Sequence, residues 1–246
     1  MKKIWPFKRA GKPVLESIRH ATIGLERPTR DFARFFAHVK KLGFDPEIAI
    51  DVGAAHGTPT IYDAFPNATH IAFEPLPDFH EGLKKRLAPL RHHIYHCALM
   101  EQEGEVEILR TQNNLYGSSL MHKRGGSGDT RLIKVPVRRL DDVMSAHPTT
   151  GQILLKTDCQ GADLLVVKGG LQTLQRSDVV ILETSFFSFW GDHHPAFTEI
   201  VAYMAAQGFV VYDILDGLFR PSDNALGQVD LVFTKQDGFL RQSRKW

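Results

Sequence analysis

The sequence predicts an α/β fold, a doubly wound and mostly parallel sheet, on three observations. Short apolar runs recur along the chain with helical stretches between them, the alternation that builds strand–helix–strand units. Most of these runs are continuously apolar, as in strands covered on both faces. The first run ends in a glycine-rich turn that opens into a helix, the place where such sheets take a ligand.

Residues 1 to 45 contain no strand-like run. Asp31 to Leu42 places apolar residues at 32, 35, 36, 39 and 42, a helical spacing closed by Gly43. A helical extension over 1–45 is therefore expected on a domain spanning 46–246. Ile48-Ala-Ile-Asp-Val52 reads as the first buried strand. Thr58 to Phe65 reads as a helix with Thr58 as N-cap and Pro59 in its first turn. Thr69 to Phe73 is the second strand, a helix begins after Pro77, and His93 to Cys97 is the third strand. Glu105–Leu109 and Leu132–Val137 flank a Gly/Ser-rich loop over 117–128 and break the rhythm, which predicts an inserted β-hairpin region. Gln152–Asp158 and Asp178–Glu183 are further buried strands with a helix over 162–174 between them. Phe209–Tyr212 and Gln228–Phe233 complete the set.

With 246 residues, 43% of them hydrophobic, the chain can bury a sizeable core, which excludes a wholly disordered protein. No apolar run approaches the roughly 20 residues of a membrane-spanning helix. The basic start, Met1 to Arg9, carries Trp5 and Phe7 but leads into no apolar stretch, so no signal peptide is expected. It reads as a frayed terminus or as a weak membrane-surface contact through those two aromatics. Two cysteines, Cys97 and Cys159, without Cys–His metal spacing, fit free thiols and a cytoplasmic location. A net charge of +2 gives no reason to expect a nucleic-acid partner. The oligomeric state is not legible.

The turn after the first strand holds Asp51, Gly53 and Gly57, with Ala54, Ala55 and His56 between the glycines. Ala55 stands where a dinucleotide fingerprint would have its second glycine, which turns the reading away from pyrophosphate. An acid at this turn suits the ammonium of an amino-acid moiety. Glu74, at the end of the second strand, can accept hydrogen bonds from the vicinal hydroxyls of a ribose, or can favour the positive end of the next helix.

Taken in order, several motifs resemble the FkbM family of class I S-adenosylmethionine-dependent methyltransferases. They are Asp51-Val-Gly-Ala54, Phe73-Glu-Pro-Leu-Pro77, Cys97-Ala-Leu99, Ser118-Ser119, Leu140-Asp-Asp142, Leu155-Lys-Thr-Asp-Cys-Gln-Gly-Ala-Asp163 and Lys168-Gly169. The resemblance spans about residues 46–233. It implies a Rossmann-like seven-stranded sheet and S-adenosylmethionine as cofactor and methyl donor. It also implies O-methylation of a sugar, a glycan or another bacterial small molecule. The implied cofactor-binding residues are Asp51, Gly53, Ala54, Ala55, Gly57, Glu74, Pro75, Cys97, Ala98 and Asp158. The chain departs from the family pattern at Ala55-His56, where Asn usually follows Gly-Ala, and at Asp163, where Glu is usual.

Methyl transfer to a hydroxyl needs the two reactants positioned and the hydroxyl proton removed. Asp158 ends the fourth strand of the sheet and is the first candidate; Glu183 ends the next and would lie beside it. One of the two could act as general base, or both could hold a divalent cation that activates the acceptor oxygen. Alternatively, Asp158 orders its turn and Glu183 bonds backbone amides. Lys156, two residues before Asp158, points to the same side and could pair with it or steady an alkoxide. His193, after the aromatic run Phe186 to Trp190, offers a second base in a loop that could cover the acceptor or simply pack on itself. Rival readings are a non-catalytic nucleoside-binding module and an NAD-dependent or nucleotide-sugar enzyme on a related sheet.

Overall fold

Asp31 caps the first helix, α1 (Phe32–Lys41), by accepting a 2.8 Å hydrogen bond from the Arg34 amide, and Phe35, Phe36 and Val39 form its buried stripe. The structure, a computed structural model, describes residues 29–111, 130–189, 194–243 and 245. β1 (Ile48–Val52) is buried at every position, as its unbroken apolar run predicts. α2 (Pro59–Ala64), β2 (Thr69–Phe73) and α3 (Pro77–Leu87) follow as expected. Thr58 precedes α2 without making a capping bond, because its hydroxyl turns inward to Asp51 instead.

β3 is His92–Tyr95 and stops short of Cys97. The chain then leaves the main sheet. β4 (Ala98–Leu99) pairs with β6 (Thr130–Arg138), which forms an antiparallel hairpin with β5 (Gly104–Thr111). These three strands are the expected insertion. Leu76 and Phe79 pack against Ala98, Ile108, Val135 and Val137, which seats the insertion on α3.

After α4 (Leu140–Met144) and β7 (Ile153–Thr157), the expected single helix over 162–174 is two short ones, α5 (Asp163–Lys168) and α6 (Leu171–Arg176). The break falls at Gly169-Gly170. A Cβ on Gly169 would lie 2.1 Å from the Met100 carbonyl oxygen. Gly169→Ala is expected to cost about 1–3 kcal/mol through this overpacking, read as a lowered melting temperature with a retained circular dichroism spectrum.

β8 (Val179–Ser185), α7 (Phe197–Ala206), β9 (Phe209–Phe219) and β10 (Leu226–Lys235) follow, with a short 3₁₀ turn at Phe239–Arg241. The main sheet has seven strands in the order β3-β2-β1-β7-β8-β10-β9, parallel except for β10, which runs antiparallel to both β8 and β9. No helix among the described residues is long and apolar enough to cross a membrane.

Alternation along the strands sends one set of side chains to each face. Ile48, Ile50, Ile153, Leu155, Val180 and Leu182 enter one core, while Ala49, Leu154, Val179 and Ile181 enter the other, beneath α1, α2 and α3. The strand order turns back between β1 and β7, so the crevice beyond the carboxyl ends of these two strands is where a doubly wound sheet takes its ligand.

Candidate active site

Alternation also dictates where the polar residues fall. Asp51 and Lys156 stand opposite each other in the β1–β7 register, and Glu183 stands opposite Asp230 in the β8–β10 register. These residues share parity with Ala49, Leu154, Ile181 and Val232, so all four project from the second face at or near the carboxyl ends of the parallel strands. Asp158 follows Lys156 by two residues beyond the end of β7.

A cleft of about 280 Å³ opens at the switch point. Its lining brings together Gly53, Ala54, Ala55, Gly57, Glu74, Pro75, Cys97 and Ala98 with Lys156, Asp158 and Glu183. Leu76, Phe79, Leu99 and Ile108 make one apolar wall, so the inserted hairpin contributes to the site through Ile108.

The turn that floors the cleft is tightly held. Gly53 adopts φ +72°, and a Cβ there would lie 2.0 Å from the Asp158 carbonyl oxygen, so only glycine lets the ends of β1 and β7 close together. Ala55 also takes a left-handed conformation, φ +48°. That conformation aims its amide at Glu74 Oε2, 2.8 Å away, while Glu74 Oε1 accepts from the Leu76 amide at 2.8 Å. Burial pushes the Glu74 carboxyl up to about 7, against the pull of those two amides.

Asp51, expected among the cofactor ligands, is not part of the cleft lining. It is fully buried behind the turn, where it accepts hydrogen bonds from Tyr62 Oη at 2.7 Å and Thr58 Oγ1 at 3.1 Å. Lys156 Nζ lies 3.7 Å from its Oδ1. An acid this deep serves the turn and the lysine. His56 packs edge-on against Phe79, with ring centroids 4.8 Å apart, and fits over Gly82, where a Cβ would meet its Nδ1 at 2.3 Å.

Lys156 donates to Asp158 Oδ2 at 3.1 Å. Burial alone would lower its pKa, but Asp158, Asp51 and Asp230 outweigh burial and hold the ammonium above its ordinary value. Burial likewise pushes Asp158 up, yet the charge and hydrogen bond of Lys156 prevail and hold it below the usual carboxylate range. Glu183 moves the other way. Its burial, reinforced by the charge of Asp158, raises it well above its ordinary value. The two neighbouring acids are thus driven apart, one toward the ionised form and one toward the protonated form.

Two neighbours of these acids stand outside the catalytic set expected from the sequence. Gln160 lines the cleft and bridges Asp158 and Glu183 through its amide. Asp230, opposite Glu183, is raised to about 7 by burial and by neighbouring carboxylates, against the charge of Lys156. The signal for Asp230 was an acid inside an apolar strand; for Gln160 it was a position inside the quoted strand-end motif.

Divalent-ion binding by Asp158 and Glu183 finds no third ligand: among the described residues no group of three His, Cys, Asp or Glu is placed to hold a metal ion. The Lys156 ammonium already occupies one side of Asp158. His193, Trp190, the loop Tyr116 to Ser119 and the aromatics Trp5 and Phe7 lie outside the described residues. His194 is buried, and burial lowers its pKa. Of the aromatic run after β8, Phe186 stacks on Phe197 at 4.9 Å, and Arg220 lies 4.1 Å over the ring of Phe187.

The family model of the methyltransferase FkbM domain matches residues 51–211. The 2-O-methyltransferase NoeI of Sinorhizobium fredii is 24% identical over 185 residues, 69% of this chain and 76% of that protein. Among solved structures, the 1,6-didemethyltoxoflavin-N1-methyltransferase of Burkholderia thailandensis has a TM-score of 0.44 at 15% identity, covering 92% of this chain and 86% of that one. The magnesium protoporphyrin IX methyltransferase of Synechocystis PCC 6803 has a TM-score of 0.43 at 9% identity, covering 82% and 76%.

Proposed function

The chain belongs to the methyltransferase FkbM family and is an S-adenosylmethionine-dependent methyltransferase, and from that premise we propose that it methylates a hydroxyl oxygen of a sugar, glycan or other small-molecule acceptor. The observation that carries this reading is Asp158, a carboxylate on the cleft wall that accepts from the buried Lys156 ammonium at 3.1 Å and borders Glu183.

The residues present fit the cofactor. Glu74 is placed to accept from ribose hydroxyls, and Leu76, Phe79, Ala98 and Ile108 suit the faces of a base. Among the described lining residues the one side-chain cation, Lys156, is already paired with Asp158, which leaves none for a pyrophosphate and suits a cofactor without phosphates. When bound, S-adenosylmethionine would supply a methyl carbon for in-line attack by a hydroxyl oxygen, with S-adenosylhomocysteine as the leaving group. Asp158 accepts the hydroxyl proton, Lys156 holds Asp158 ionised, and Glu183 bonds Asp158 and helps to fix its orientation. The likeness to a 2-O-methyltransferase supports oxygen as the acceptor atom. The free thiols Cys97 and Cys159 support a cytoplasmic location.

The full chain should release S-adenosylhomocysteine from S-adenosylmethionine with some member of a panel of methyl glycosides bearing a free 2-hydroxyl. Turnover only with amine or carboxylate acceptors would sink the O-methylation reading. Cofactor binding has its own test at Glu74. The ionised carboxylate is the form that accepts two ribose hydroxyls, so the affinity for S-adenosylhomocysteine should rise from pH 6 to pH 8, with proton release in calorimetry. Glu74→Gln should weaken binding about tenfold or more and flatten that pH slope. An unchanged slope would exclude Glu74 from the ribose site.

A further inference from the structure

Asp158 and Glu183 come from the ends of adjacent parallel strands, and two carboxyls brought together there repel each other when both are ionised. Glu183 hydrogen-bonds Asp158 directly, and the pair still offers carboxyl oxygens to a further donor. Lys156 donates to Asp158 Oδ2, and Asp158 Oδ1 accepts from a different residue.

Gln160 is that residue. Its Nε2 donates to Asp158 Oδ1 at 3.2 Å and to Glu183 Oε1 at 3.1 Å, with Glu183 Oε2 at 3.3 Å. Its backbone amide donates to Glu183 Oε2 at 3.2 Å. Side chain and backbone of one residue therefore converge on the same carboxyl. They do so because Gln160 sits in the left-handed region at φ +49°. A long side chain there costs on the order of 1 kcal/mol relative to glycine, and such strain persists where the surrounding structure fixes it. The amide also lines the cleft rather than the core.

We propose that Gln160 is a positioning residue that clamps Asp158 and Glu183 into one unit facing the acceptor, keeping a donor on both carboxyls at every working pH. An amide suits this task because it does not titrate, whereas a lysine between the same two acids would neutralise both. The proposal rests on the reading of Asp158 as the base, and it carries a consequence independent of any acceptor. Hydrogen bonds from the amide favour the charged form of each carboxyl, so their removal raises the titration midpoints of the pair.

The experiment is carboxyl-carbon NMR titration of the full chain, with the Asp158 and Glu183 signals assigned through Asp158→Asn and Glu183→Gln. Gln160→Leu should shift the lower midpoint of the pair upward by about one pH unit. Gln160→Asn tolerates the left-handed backbone better but shortens the reach, and it should show the same direction of shift with melting close to wild type. If the pair titrates as in wild type in either variant, Gln160 is not a clamp. A shift in both variants supports it. Failure of the functional reading is separately visible: methyl transfer untouched by Asp158→Asn removes Asp158 as the base while leaving the titration result standing.

Discussion

Replacing Asp158 by asparagine is expected to lower methyl transfer by about 10²–10⁴-fold, the usual contribution of a positioned general base. The substitution keeps the side chain's shape and its ability to accept from Lys156, but it removes proton affinity at the cleft wall. The fold should survive, because Lys156 retains Asp51 as a second partner at 3.7 Å. Binding of S-adenosylhomocysteine should change far less than turnover, so the loss should appear in kcat. Wild-type kcat should in turn fall as pH drops toward the Asp158 pKa, which Lys156 holds below the ordinary carboxylate value. The measurement is initial-rate S-adenosylhomocysteine release with an accepted glycoside across pH. An Asp158→Asn variant with wild-type kcat would place the base elsewhere.

Gly53→Ala is expected to do damage of a different kind. The added Cβ would sit 2.0 Å from the Asp158 carbonyl oxygen, and the backbone there holds φ +72°. Neither problem has a side-chain solution, because the colliding atom belongs to the main chain of the neighbouring strand's end. Left-handed strain and overpacking together cost on the order of 3 kcal/mol, a melting shift on the order of 10 °C for a chain of this size. Relief requires β1 and β7 to separate at their carboxyl ends, so cofactor affinity should fall together with stability. Thermal melts with and without S-adenosylhomocysteine would report both. A variant that melts like wild type would show that the two strand ends are less closely joined than the structure has them.

The β1 and β2 spans were legible because each is a short apolar run bounded by turn residues, and the expected limits coincide with those observed. The helix over 162–174 is two helices, and the break falls at Gly169-Gly170, a pair of poor helix formers inside the expected span. β9 runs on to Phe219, seven residues past the expected end, since its outer half is exposed and lacks the apolar signature of a buried strand. Depth was harder still. An acid in a glycine-rich turn announces its type but not its side of the turn, so Asp51 was read as a ligand although it lies behind the turn. Asp230 became meaningful only once the antiparallel register set it opposite Glu183. Lys156 and Asp158 meet at 3.1 Å, as their two-residue spacing predicts, although Asp158 lies just past the strand's end.

Glu74 holds both of its backbone partners, the amides of Ala55 and Leu76, without help from a cofactor. The two loops that would grip a nucleoside are therefore already tied to one another by a single side chain. Arrival of the ligand does not have to order them, which spares the entropic penalty that lowers affinity in sites built from loose segments. The kinetic counterpart is an association rate governed by diffusion into the cleft rather than by loop closure, so affinity differences among cofactor analogues should be expressed in how fast they leave.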